Sequence, residues 1–583
     1  MRARQRTGTG AGGGGGIETQ APFTSAAFKL PLKNTLVPAG GNGPATFTRA
    51  TEAAFFDNEG ILKTARSGAA RFTGARRVAN LMTESEQVTG TSWPSIFDLT
   101  ITNGVSGPLG GLNGTRLTSL GTNGYMQSSL ITTSVGRVFR MSFWARNTGV
   151  NPSSVLRMSF LASGSLIAAS DLQTSTVPST WTQYSILGTI PSGATDVRAR
   201  FGGSSVFSTG MELEIALLQI EDVTGQSDQT ASEYVSVGVL STPWHGAGVD
   251  GVKYFATNKD GTTIPDTYLK GYLTEGARTN NLLYCRDLTN AAWVKSNTSA
   301  AINGNGIAGG TNTCSTLTAT AGNGTCLQTI TLAAASRTFS VYVKRRTGTG
   351  TISLTRDGGT SWTDVTASLN TSGYTRVFVE NTSVTNPSCG FRITTSGDAI
   401  DVDYCQDEAG AYASNPITTD GTAVTRNQDV LSYPVSGNMS LASGTSYLNF
   451  GIMERALTSS AKSQVLCVDI DGRCAYQNPG FVNTDVAAYD GTTGKRSNPD
   501  GLSRAGNILR KCSSRWGADL AIISSGNSSI STGSFDGSLG SSSSFYVGSR
   551  DGNSTDCHFG NFRDIYLWTS ELTDTQMKQI VRG

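Results

Sequence analysis

Histidine is nearly missing: His245 and His558 are the only two in 583 residues, and they sit far apart in the chain. A Ser/His/Asp or Cys/His nucleophile needs a base beside it, and no Gly-x-Ser-x-Gly accompanies either residue, so hydrolysis of that type is excluded. Neither histidine has a neighbour at ligand spacing, which also removes zinc chemistry. Charge is sparse at 15% of residues, and Lys+Arg 45 against Asp+Glu 43 leaves a net charge of +2. Such a chain has no field to attract nucleic acid, so no nucleic-acid partner is expected. No apolar run approaches the ~18 residues that span a bilayer, and the best, residues 213–220, contains Glu214. No membrane insertion is expected, and the basic start without an apolar segment behind it does not read as a secretory signal. Cysteine is absent before Cys285, and the nine from there on form no Cys-x-x-Cys pair. They read as mostly buried free thiols made in a reducing compartment, with Cys314 and Cys326 the pair most open to oxidation. The glycines of residues 8–16 lack the Lys-Ser/Thr ending of a phosphate loop. No cofactor, no metal and no catalytic residue is predicted.

What the chain does contain is Gly 70, Pro 16 and 37% hydrophobic residues, with Ser, Thr and Asn supplying polarity. This composition suits an all-β protein rich in turns. Laid against itself at an offset near 200, the chain repeats. Gly74-Ala75-Arg76, Asn80-Leu81 and Trp93 match Gly276-Ala277-Arg278, Asn281-Leu282 and Trp293. Residues 137–144 match residues 337–344 at the same offset, and Gln219-Ile220-Glu221 matches Gln406-Asp407-Glu408 at a shorter one. Period-two alternation, as in Phe139, Met141, Phe143 and Ala145 against Arg140, Ser142, Trp144 and Arg146, marks antiparallel strands with one core face. The predicted fold is therefore all-β, with tandem jelly-roll sandwiches, hairpin lead-ins and an extended N-terminal arm. The expected boundaries are residues 1–44 for the arm, 45–79 for a lead-in, 80–236 for the first sandwich, 237–281 for the second lead-in, 282–432 for the second sandwich and 433–583 for a third. Near the end, Thr573 with Gln576 forms a capping box before the apolar stripe Met577, Ile580 and Val581, which predicts a helix.

Certain stretches resemble known proteins. Phe47-Thr48-Arg49-Ala50, residues 56–60 and Gly74-Ala75-Arg76-Arg77 are similar to a lead-in that recurs in tailed-bacteriophage virion proteins. So are residues 248–255 and 269–280, with Glu275-Gly276-Ala277-Arg278 at their centre. The closing residues 546–550 and 559–568, followed by a short helix, resemble the end of a laminin-G or concanavalin-like sandwich. The resemblance implies a bacteriophage virion structural protein, a fibre or adhesin-like appendage of tail or head carrying carbohydrate-binding-like jelly rolls. It implies localisation to the virion after synthesis in the bacterial cytoplasm, a homotrimer, and a host surface glycan as ligand. Attachment to other virion proteins is assigned to the N-terminal arm, where Arg2, Arg4 and Arg6 can make charge-assisted hydrogen bonds.

Alternation places Trp144 and Tyr342 on the faces away from their own cores, flanked by Arg140 and Arg146 in one copy and by Lys344 and Arg346 in the other. An aromatic ring beside hydrogen-bonding cations suits stacking on a sugar; cover by a lead-in or a neighbouring subunit would use the same residues as interface. Trp93, Trp181, Trp293 and Trp568 read as core or sandwich edge. Asp401 and Asp403 share a strand face, as Glu212 and Glu214 do, and two carboxylates so placed raise the alternative of a tailspike-like polysaccharide depolymerase. A solvated strand face is the simpler reading of both pairs. A capsid decoration protein without a receptor is a further alternative. Asp469, Asp471 and Asp551 are noted as turn residues of the kind that also occur in lectin calcium loops.

Overall fold

A computed structural model describes residues 22–150, 155–173, 177–203, 207–238, 245–452, 463–468, 474–478, 485–489, 494–497, 509–525, 527–549 and 557–582. The protein is all-β, and among the described residues its one α-helix is Asp574–Arg582. The predicted cap holds: the Gln576 side chain accepts from the Thr573 N–H at 2.9 Å while the Thr573 hydroxyl accepts from the Gln576 N–H at 3.3 Å. The helix stripe Met577, Ile580 and Val581 is buried against Tyr447, Tyr566 and Trp568.

Each repeat folds as two facing antiparallel sheets. In the first, Thr182–Thr189, Val138–Asn147, Glu212–Asp222, Gly114–Ser119 and Leu99–Val105 form a five-stranded sheet in that order. Its second-copy equivalent orders Thr375–Ser383, Ser336–Thr347, Ala399–Ala409, Cys314–Ala319 and Thr298–Gly304. Trp93 and Trp293, each 1% exposed, sit in equivalent cores. The apolar halves of the alternating strands, Phe139, Met141 and Phe143 in one copy and Phe339, Val341 and Val343 in the other, face those cores as expected.

Strand pairing corrects the alignment of the repeat. In the first copy Ser142 faces Gln219 and Trp144 faces Ala216; in the second Ser340 faces Gln406 and Tyr342 faces Asp403. Both ladders skip at a residue in the left-handed region, Leu217 at φ 52° and Tyr404 at φ 51°. Matching these bulges makes Trp144 equivalent to Tyr342 and Arg146 to Lys344, two positions away from the constant offset of 200. Likewise Asn80 corresponds to Asn280 rather than Asn281. Asn80 donates to the carbonyls of Leu218 and Val235 and accepts from the N–H groups of Met82 and Ile220. Asn280 donates to Cys405 and Ile417 and accepts from Leu282 and Asp407. The Gln-x-Glu motifs are also equivalent and buried. Gln219 accepts from the Val235 N–H and Gln406 from the Ile417 N–H, while Glu221 and Glu408 accept from Ser232 and Ser414.

The third sandwich is a composite. Its eight-stranded sheet contains Gly444–Ile452, Arg510–Trp516, Leu520–Ser524, Ser531–Gly533 and Gly560–Trp568, joined by Gly271–Thr274 and Arg71–Thr73 from the two lead-ins and by Phe28–Pro31. The lead-ins are therefore strands of this base rather than spacers before each sandwich. The expected arm is corrected in the same way: Phe28 and Leu30 are wholly buried, and Phe28 pairs with Leu567. Alternating apolar residues gave this segment a sheet to enter, so residues 22–44 pack into the base. Arg2, Arg4 and Arg6 lie outside the described residues, as do Asp469, Asp471 and Asp551.

Five buried charges join the lead-ins to the exit of the second sandwich. Arg49 pairs with Asp429 at 2.7 Å, Arg71 with Glu275 at 2.7 Å and also with Asp429, and Arg426 with Glu275 at 3.0 Å. Burial alone would raise the Glu275 carboxyl, but Arg426 and Arg71 outweigh it and hold it at about 2. Nearby, the Asn58 amide donates to the Asn258 side chain at 3.1 Å, so the turns of the two lead-in hairpins touch.

Among the described residues Cys285, Cys314, Cys326, Cys389, Cys405 and Cys512 are free and buried. Burial pushes the Cys314 and Cys326 thiols up to about 12. An aromatic disulfide reagent is therefore expected to titrate none of these six in the native protein and to react rapidly with them only after denaturant is added. His558 is wholly buried beside Phe450 and Phe562, and burial lowers its imidazole to about 4. Its folded value lies below its unfolded one, so the neutral ring belongs to the folded state. Stability is expected to fall as the pH drops from about 6.5 to about 4, and less so in His558→Gln, as read by urea midpoints.

Candidate functional site

The outward faces of the two five-stranded sheets carry the sequence-selected residues, and the two copies use them differently. In the first, Glu214 is buried between two guanidiniums: Arg146 lies 2.5 Å away and Arg116 2.8 Å away on the adjacent strand. The Arg146 guanidinium also stacks over Trp181, 4.8 Å from the ring centre. Trp181 is thus part of this face, which alternation along its own strand did not indicate. Arg140 donates from Nε to the carbonyl of Gln229 at 2.7 Å and reaches Ser185, so it fastens the returning segment to the sheet. Trp144 is half-buried in the middle of the face.

In the second copy the aromatic is covered by the chain itself. Tyr342 packs against Phe56 of the first lead-in hairpin at 6.2 Å between ring centres, and Arg376 lies over its ring at 5.3 Å. The hairpin is seated by Ala54 and Leu62, which are buried in the second core, and by the Leu62 N–H donating to Ile307 at 3.0 Å. Of the two uses that alternation left open for Tyr342, the structure gives it cover by a lead-in.

Beyond the hairpin the face opens into a recess of about 270 Å³ lined by Asn303, Gly304, Asn305, Lys344, Arg345, Arg346, Thr371 and Asp401. Lys344 reaches Asp401 at 3.0 Å and Arg346 reaches the same carboxylate at 2.9 Å, while Thr316 donates to it at 2.7 Å. Burial raises the Asp401 carboxyl, yet the hydrogen bonds from Thr316, Lys344 and Arg346 outweigh it and hold it below the usual carboxylate range. The Lys344 ammonium lies 5.1 Å over the Tyr374 ring, whose hydroxyl donates to the Asn305 carbonyl at 2.9 Å. The Lys344–Asp401 pair is the counterpart of Arg146–Glu214; Arg346 is an addition of the second copy.

Asp403 does not share this recess. It is wholly buried, held by Arg286 at 2.7 Å and by the Ile307 N–H at 2.9 Å, and burial raises its carboxyl despite that arginine. The loop over it is closed at Gly306, where a Cβ would stand 2.3 Å from an Asp403 oxygen. The shared strand face of Asp401 and Asp403 is real, but only Asp401, itself buried, lines the recess. Arg286 is 117 residues from Asp403 in the chain, so the sequence carried no signal for their pairing.

No family model matches the chain, and no curated protein matches it. Among solved structures, it is similar to the tandem CBM22-1–CBM22-2 domain of Xyn10C from Paenibacillus barcinonensis, at 8% identity and a TM-score of 0.21 over 60% of this chain and 100% of that one. It is similar to the C-terminal CBM6 of the laminarinase LamC from Zobellia galactanivorans at 13% identity and a TM-score of 0.17, over 25% and 99% of the two chains. The enzymatically active domain of tailspike protein 4 from bacteriophage CBA120 matches at 21% identity and a TM-score of 0.18, over 24% of this chain and 21% of that one. Likeness at this level assigns neither ligand nor site to the protein.

Proposed function

We propose that the chain is a non-catalytic glycan-binding structural protein of a tailed-bacteriophage virion, an appendage that recognises the host surface. The observation that carries glycan binding is the recess of the second sandwich. It is an open hollow on a rigid sheet, walled by amide, hydroxyl, ammonium, guanidinium and carboxylate groups, the donor and acceptor set that saccharide hydroxyls need. Its floor is already ordered by the Lys344–Asp401 and Arg346–Asp401 pairs, so little reorganisation accompanies binding. A non-catalytic role is supported by the carboxylates. Acid–base cleavage of a glycoside needs two carboxyl groups open to one bond, and Asp403 is sealed by Arg286 and Ile307.

The virion assignment rests on the lead-in resemblance, and the residues that carry it have a definite role here. Arg49 and Glu275 belong to those stretches, and together with Arg71 and Asp429 they are the buried charges that join both sandwiches to the composite base. An appendage must transmit force between its parts, and such a weld suits it. Residues 1–21 remain the segment assigned to attachment, and a homotrimer remains the assembly proposed. The test is joint: purified protein is added to host cells and to their isolated surface polysaccharide, and purified virions are probed for the chain. Saturable binding without new reducing ends, together with fixed stoichiometry in virions, is the expected result. New reducing ends would overturn the non-catalytic reading, and absence from virions would overturn the appendage.

A further inference from the structure

The charges around the recess do not cancel, and the imbalance indicates what kind of glycan it takes. Of the three cations in its wall, Arg345 is 8% exposed and spends its guanidinium elsewhere, 3.6 Å from Asp398 and donating to the carbonyls of Gly348 and Gly350. Lys344 and Arg346 remain, and they share a single carboxylate, Asp401. The recess therefore presents one uncompensated positive charge. The geometry of Arg346 locates it. All of its hydrogen bonds leave from Nη1, to Asp401, Thr316 and Asn303. Its Nε and Nη2 make none among the described residues, and its side chain is 39% exposed. An arginine anchored through one nitrogen offers its other edge as a pre-set fork, the shape that accepts both oxygens of a carboxylate.

The first copy provides an internal comparison. There Glu214 takes two arginines, but Glu212 lies 3.9 Å from Arg116, so in the matching patch two acids meet two cations and the charges balance. Arg146 uses its Nε edge on Glu214 and lays its flat face on Trp181. The excess charge and the open fork belong to the second copy alone.

Resting on the glycan-binding reading of this recess, we infer that it selects a monoanionic acidic saccharide, a uronate or another sugar carboxylate, seated on the free Nε/Nη2 edge of Arg346 with Lys344 beside it and Asn303, Asn305 and Thr371 left for hydroxyls. A sulfate ester carries the same charge but not the flat two-oxygen geometry, so the test separates the two.

The probes are glucuronate-, galacturonate- and sialate-bearing oligosaccharides, sulfated oligosaccharides, and their neutral counterparts, titrated against the full chain, Arg346→Gln, Arg346→Lys and Lys344→Met. Carboxylated probes are expected to bind at least ten times more tightly than neutral ones. Arg346→Gln should weaken them by about 10- to 100-fold, the effect of a lost charge-assisted fork. Arg346→Lys should recover only part of that loss, and Lys344→Met should have a smaller effect. Each variant is compared with the parent by circular dichroism, since both side chains are partly exposed. Neutral and acidic probes binding alike, or carboxylate binding indifferent to Arg346→Gln, would overturn the inference while leaving glycan binding intact. Sulfated probes binding best, with Arg346→Lys equal to the parent, would overturn the carboxylate fork in favour of a point charge. No binding by any probe or by host polysaccharide would overturn the glycan reading itself.

Discussion

Asp429→Ala is expected to destabilise the protein by about 4 kcal/mol, because removing one partner from a buried charge cluster leaves the others uncompensated in a low dielectric. Asp429 accepts from Arg49 and Arg71 and from the Glu275 N–H, and the side chains of all three charged partners are 0% exposed. Its loss leaves the buried Arg49 guanidinium without a carboxylate and Arg71 with Glu275 alone. Those guanidiniums come from the first lead-in, Glu275 from the second, and Asp429 from the exit of the second sandwich. The substitution should therefore lower stability and also divide one cooperative unfolding transition into two, since the sandwiches lose their shared anchor. Urea unfolding followed by tryptophan fluorescence and by circular dichroism reads both effects. Glu212→Ala is the control: Glu212 lies 3.9 Å from Arg116, the two side chains are 25% and 39% exposed, and such surface pairs contribute about 0–1 kcal/mol. A shift for Asp429→Ala no larger than the control would mean that the cluster does not hold the sandwiches together.

How far the sequence led depends on the range of the interaction. Period-two alternation is local, so the core faces of residues 138–147 and 336–347 were legible, as was the cap of the final helix. The repeat was legible as well, but its register was not. A constant offset matched Trp144 to Lys344, whereas the ladder matches it to Tyr342 through the bulges at Leu217 and Tyr404. A bulge consumes a residue without leaving a compositional mark, because neither leucine nor tyrosine advertises a left-handed backbone. The composite base was not legible at all: residues 28–31 and 271–274 pair with residues 560–568, and residues 71–73 with residues 271–274, across hundreds of positions, and no local pattern encodes such partners. The recess stands between these cases. Alternation put Lys344 and Arg346 outward and Asp401 on a face shared with Asp403, which was enough to nominate each separately; that the two strands are neighbours is given by the ladder. That Asp401 borders the recess while Asp403 is sealed depends on Arg286 and on residues 306–307, which only the fold brings there.

Asn80→Ala and Asn280→Ala should each cost about 4 kcal/mol, since a buried donor or acceptor left unpaired costs about 1–3 kcal/mol and each substitution leaves four, with partial relaxation. Asn80 is 2% exposed and Asn280 0%, and no water can replace the lost partners without opening the sheet. Each side chain holds three separated segments: its own strand entrance, the central strand of the five-stranded sheet just past the bulge, and the segment returning over it. The carbonyls released in the first copy belong to Leu218 and Val235, and in the second to Cys405 and Ile417. Because the two networks are the same, the two costs should agree to within about 1 kcal/mol, an unusual expectation for positions 200 residues apart in a chain. Asp in place of Asn keeps the acceptor but removes both donors and sets a charge against two carbonyl oxygens, so Asn80→Asp and Asn280→Asp should be at least as damaging as alanine. Denaturant midpoints for the four variants decide the matter. Equal losses would establish that Asn80 and Asn280, rather than Asn80 and Asn281, are the equivalent positions of the duplication. A large loss at Asn280 with none at Asn80 would mean that the first sandwich holds its bulge by other contacts, Arg140 with Gln229 being the first to test.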